Sequence, residues 1–168
     1  MKFWSNLIGY QAVWFITVAA AGRGLAWPGV SAALAFVLAQ LARSDRRRAD
    51  ARLALLALAC GLLIDGSLAS LGWIRCAAPT LTPPAWILAL WAAFALTLNH
   101  SFACLRGRPR LACLLGAIGG PLAYWGAARG WQAVQFEAPA WRAVLALMLG
   151  WALALGVLAQ GARRWEAL

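Results

Sequence analysis

Few side chains in this sequence can move a proton or hold a polar ligand, and most of them sit among Leu, Ala, Trp and Phe. Asp65 is the only acidic residue inside an apolar segment. A carboxylate near the centre of a membrane helix costs about 2.5–3.5 kcal/mol on insertion scales, so it must face the protein interior, find a donor or take up a proton. Its chemistry would be proton or cation handling, or anchoring of a polar head group. The plainer alternative is a protonated acid in an interhelical hydrogen bond. By depth, Tyr124 and Gln11 are the groups that could reach it from segments five and one.

A second set is consecutive: Asn99, His100 and Ser101, with His100 the single histidine. His100 could act as general base, hydrogen-bond donor or proton relay, or be a satisfied structural group. On a helix these neighbours lie about 100° apart. They therefore diverge, and His100 with Ser101 is no nucleophile–base pair. Asn99 and His100 lie at the depth of Asn6, whereas Asp65 lies in the other half, so a direct Asp65–His100 bond is not expected. Gly119, Gly120 and Pro121 form a third feature. Pro121 has no N–H for the carbonyl of Ala117, and two glycines soften the helix before it. A kink or break is expected there, with freed backbone groups. Gly116 and Gly120 also permit close helix approach.

The elements that must position these residues are apolar. The chain has 168 residues, 64% hydrophobic and 12% charged, with mean hydropathy +0.72. A soluble domain is about half apolar and a quarter charged, so the bilayer must solvate most of this surface. Segments of helix-spanning length are expected at about 3–20, 27–42, 53–72, 84–105, 111–128 and 139–160. The first resembles a signal peptide with a small-residue cleavage site, but Asn6, Tyr10 and Gln11 are polar for one, and it reads as a retained helix. The expected fold is all-α: a single membrane domain over 1–168, a bundle of six transmembrane helices with both termini cytoplasmic.

Charge sets that orientation. Lys2, the five arginines of 43–52, the three of 106–110, Arg163 and Arg164 fall on one face, against Arg23, Arg75, Arg129 and Arg142 on the other. The positive-inside rule makes the first face cytoplasmic. The net charge of +10 is thus topogenic, and the stretch from Arg43 to Arg52 could also bind anionic head groups. No basic stretch is interleaved with stacking aromatics, so nucleic acid is not an expected partner. Trp4, Trp27, Trp73, Trp86, Trp131, Trp141 and Trp165 lie near water boundaries, as in an interfacial belt. Trp14, Trp91, Trp125 and Trp151 lie deeper, for packing or for lining a lipid-tail groove. Cys60, Cys76, Cys104 and Cys113 form no C-x-x-C pair and read as small apolar side chains. No metal or cofactor is expected. Trp and Pro open each even-numbered segment, at Trp27–Pro28, Pro84–Trp86 and Pro139–Trp141, which fits either a threefold hairpin repeat or chance among Ala/Leu-rich helices.

Three blocks carry a resemblance: N-L-I-G-Y-Q-A-V-W-F at 6–15, P-A-W-I-L-A-L-W-A-A-F-A-L-T-L-N-H-S at 84–101 and G-A-I-G-G-P-L-A-Y at 116–124. They resemble a bacterial family of small inner-membrane proteins catalogued as a domain of unknown function. The resemblance implies a multi-pass protein of the bacterial inner membrane, in contact with lipids, and supplies no activity, cofactor or catalytic residue. Three functions are open. The first is binding or transport of a small or lipidic substrate in a pocket of Gln11, Asp65, Asn99, His100, Ser101 and Tyr124. The second is a membrane-embedded lipid-modifying enzyme using His100 and Asp65. The third is a structural subunit, pairing with a second copy or a membrane-complex partner.

Overall fold

The computed structural model describes residues 2–166. Among them are six α-helices: α1 (Lys2–Ala21), α2 (Trp27–Arg43), α3 (Arg47–Ser70), α4 (Ala85–Ala95), α5 (Pro109–Trp131) and α6 (Trp141–Glu166). Three stretches, Arg47–Ser70, Pro109–Trp131 and Trp141–Trp165, are long and apolar enough to cross a membrane. Large apolar side chains cover the outside of these helices, with Leu55, Leu63, Leu149 and Leu153 all exposed. Such a surface suits lipid rather than water.

Helix α3 is the spine. Its buried residues include Asp50, Ala54, Ala57, Gly61, Asp65 and Leu68, spaced three and four apart, which keeps one stripe facing inward. Helix α3 begins at Arg47, not at Leu53 as the hydropathy suggested. Arg and Ala are good helix formers, and Asp50 in the first turn complements the helix dipole. The arginine-rich stretch is therefore partly the first turns of α3.

The helix expected over 84–105 is cut short. Helix α4 stops at Ala95, and i→i+3 turns carry the chain to a short 3₁₀ turn at Ala103–Leu105. The cause is local. The Thr97 hydroxyl donates to the Phe94 carbonyl at 2.7 Å, and the Thr97 N–H donates to the same oxygen. Both bonds draw that carbonyl away from its α-helical partner. At about 1.5 Å per residue, the 11 residues of α4 cover roughly half of a bilayer core.

Of the kink or break expected at Gly119, Gly120 and Pro121, the break does not occur. Helix α5 runs unbroken through Pro121. A Cβ on Gly116 would strike the backbone carbonyl of Trp151, and one on Gly120 would strike the Trp151 ring. The glycines serve a close seam with α6, and that packing holds the helix past one missing N–H.

Two segments expected to be loops pair as strands. β1 (Ile74–Cys76) follows α3 and β2 (Val134–Phe136) follows α5, antiparallel, with Arg75 opposite Gln135. The Arg75 guanidinium meets Glu137 at 2.8 Å. This ribbon puts the C-terminal ends of α3 and α5 at one end of the molecule. The arginine-rich connections lie at the other.

Helix contacts run in the order α1, α2, α4, α3, α6, α5, and close sparsely from α5 back to α1. That last seam is pinned near the ribbon, where Trp131 packs edge-on against Trp14 and Phe15. Further along α1 and α5 it gapes.

Candidate functional site

The six polar residues singled out from the sequence are not gathered in one pocket. The structure divides them among three places.

The first is built on Asp65, 4% exposed. Both carboxyl oxygens are used. The Tyr124 hydroxyl donates to Oδ1, as depth suggested, and the Trp91 Nε1–H donates to Oδ2 at 2.6 Å. Trp91 reaches across because Gly61 has no side chain. A Cβ there would run into the Trp91 ring. The other face of Trp91 stacks on Trp151 at 4.1 Å between centroids and 20° between planes. One carboxyl group thus ties α3, α4, α5 and, through the stack, α6. Gln11 does not join it. Nearby at the ribbon, burial pushes the Cys76 thiol up to about 12, with the Asp65 charge adding to the effect.

The second place was missed in the sequence, because its centre is Asp50, inside the arginine run. Asp50 is 0% exposed. The Asn99 amide donates to its Oδ1 at 2.7 Å, and His100 Nε2 lies 3.3 Å from its Oδ2. Asn99 and His100 converge on one carboxyl group because α4 has already unwound. The divergence expected for helical neighbours does not apply. The carboxylate can only accept, so Nε2 is the ring nitrogen that donates to it. Ser101 turns the other way, donating to Asn6 Oδ1 at 2.7 Å, which pins α1 to the same segment. A signal for Asp50 was present: it falls on the same helical stripe as Asp65.

Beside the Asp50 cluster lies an open basin of about 300 Å³, walled by Arg43, Ser44, Arg46, Asn99, His100 and Arg106, with Asp45 also on its rim. The His100 side chain is 18% exposed there.

The third place is the gaping α1–α5 seam, a groove of about 470 Å³. Tyr10, Gln11 and Trp14 line it from α1. Leu115, Gly119, Leu122 and Ala123 line it from α5, Trp151 and Phe94 line its depth, and Phe102 and Leu105 line one end. Gly119 is exposed in it, and a Cβ there would meet nothing within 4 Å. A smaller cavity of about 50 Å³, walled largely by aromatics and reaching Tyr124 and Trp91, shares Tyr10, Trp14 and Trp151 with the groove. Three buried polar atoms lack a partner among the described residues: Asn6 Nδ2, Asn99 Oδ1 and Trp151 Nε1. Among the described residues, no three of His, Cys, Asp and Glu gather to hold a metal ion.

By length and composition, these helices mark a helical membrane protein, with an apolar groove in one side and buried carboxyl groups toward both ends. The chain belongs to a family described as "Protein of unknown function (DUF2878)", matched over residues 3–157. No curated protein and no solved structure is detectably similar to it.

Proposed function

We propose that this protein binds a lipidic substrate in the α1–α5 groove, as a single-domain, six-crossing protein of the bacterial inner membrane with both termini cytoplasmic. The groove is the observation that carries the reading. Its volume of about 470 Å³ falls within the roughly 300–1,000 Å³ of small-molecule sites. Its walls are almost wholly apolar, as an acyl or isoprenoid chain needs. Its few polar lining groups, on Tyr10 and Gln11, suit an ester or carbonyl oxygen. In this reading Asp65 and Tyr124 fasten the floor of the groove rather than contact substrate. Six crossings are supported by the α4 segment continuing as turns to Leu105, and by the arginines clustered at one end.

The test is Gly119→Phe, which adds a ring at a groove-lining position where a Cβ meets nothing within 4 Å. A photoreactive fatty acid in nanodiscs should cross-link to the α1 and α5 walls in the parent protein and fail to do so in the variant. Equal labelling of both would overturn the reading.

The Asp50–His100 contact favours one second reading, a lipid-modifying enzyme in which Asp50, not Asp65, orients His100 as the acid–base group. It requires His100→Gln to abolish a turnover that Asp65→Asn leaves in place.

A further inference from the structure

The basin at the arginine end is the feature the groove leaves unused. We propose that it holds the phosphate of a phosphate-bearing lipid whose chain lies in the groove; the identity of that lipid class rests on the groove reading.

Four observations converge. The basin is concave, about 300 Å³, and is lined by three arginines, Arg43, Arg46 and Arg106, with Asp45 on its rim. Guanidinium forks match phosphate oxygens in geometry and charge. Three arginines stand against two acids there, and the acid beneath is the buried one. Asp50 is 0% exposed, and its carboxylate already accepts from Asn99 and faces His100. The basin and the groove share one wall. Leu105 and Phe102 line the groove, while Arg106, Asn99 and His100 line the basin, so the unwound segment after α4 separates them by little more than its own thickness. Finally, Asn99, whose Oδ1 has no partner among the described residues, lines the basin as well.

The full-length chain in detergent, with bound lipid counted by native mass spectrometry, tests this. The probes are phosphatidic acid, diacylglycerol of the same chains, and sodium phosphate. Arg43 is an exposed residue at the end of α2, so its loss threatens folding little. Arg43→Gln should weaken phosphatidic acid about tenfold, the size of one charge-assisted hydrogen bond, and leave diacylglycerol unchanged. Arg106→Gln should do the same. Arg108→Gln and Arg110→Gln remove equal charge at exposed positions outside the basin, and should change binding less than about twofold. Equal losses at all four arginines would mean diffuse attraction and overturn the proposal. Sodium phosphate bound as tightly as phosphatidic acid, and released by Arg43→Gln, would overturn the lipid assignment in favour of free phosphate. Gly119→Phe separates the two readings. It should weaken phosphatidic acid and diacylglycerol alike. If it weakens neither while Arg43→Gln still acts, the groove fails and the phosphate site stands.

Discussion

Replacing Asp50 by Ala removes the point on which α3 and the segment after α4 meet. The side chain is 0% exposed. It accepts from Asn99 at 2.7 Å and faces His100 at 3.3 Å. Hydrogen bonds to a charged group are worth about 1.5–3 kcal/mol each, and partners in one network do not add fully. Losing both, and leaving Asn99 and His100 unsatisfied in a half-buried place, should cost about 3–5 kcal/mol. Asp50→Asn keeps the shape and one acceptor oxygen, and should cost about half of that. The damage should be local first, because the segment from Leu96 to Arg106 is held by few α-helical bonds of its own. Hydrogen exchange by mass spectrometry reads it directly. Amides in 97–106 should lose protection in Asp50→Ala, while those of α5 and α6 keep theirs. A double cycle with Asn99→Ala should show coupling of at least about 1 kcal/mol. Unchanged protection in 97–106, or additive effects in the cycle, would refute the claim that Asp50 organises the segment.

Two further predictions use the other end of the chain. Cys104 is exposed beside the arginine end, whereas Cys76 is partly buried in the ribbon. With the Cys76 pKa near 12, only about one thiol in ten thousand is ionised at pH 8, rising tenfold per pH unit. A membrane-impermeant maleimide should therefore label Cys104 in inverted vesicles and not in intact spheroplasts, with Cys76 silent on both until strongly alkaline pH. Labelling of Cys104 in intact spheroplasts would reverse the proposed orientation. Trp91→Phe removes the donor to Asp65 Oδ2 but keeps a ring against Trp151. It should lower thermal stability in detergent by about 1–3 kcal/mol, whereas Trp91→Phe added to Asp65→Asn should cost little more. Full additivity would mean the two side chains do not act as a pair.

How much of this was legible in the sequence depends on whether a residue's role was set locally. The apolar segments, the Asp65–Tyr124 contact and the shared depth of Asn6 and the Asn99–Ser101 stretch all follow from hydropathy and counting along helices. Asp50 did not, because helix α3 was started where the arginines stop. Hydropathy sees those arginines as a loop, while the backbone sees Arg and Ala as good helix formers. Carried three turns further back, the three-and-four spacing through Asp65 and Gly61 lands on Asp50. The end of α4 at Ala95 was hidden for the opposite reason: Leu96 to Leu98 look like more helix, and only the Thr97 hydroxyl competing for the Phe94 carbonyl shows otherwise. At Gly116 and Gly120 the close helix approach was legible, whereas the continuity of α5 through Pro121 was not, because a proline's local cost was weighed without the α6 surface that α5 packs on. The ribbon joins three-residue strands some sixty positions apart. Nothing local in either marks its partner.

Asp50 and Asp65 are borne on the same unbroken helix, 15 residues apart, so their backbones are separated by about 22 Å along its axis. Neither α1 nor α5 can change that length by moving. Helix α3 is thus a built-in ruler. Distances taken from labels on it to α1 and to α5 report displacement of those helices alone, and a label pair placed along α3 itself supplies the reading for zero motion.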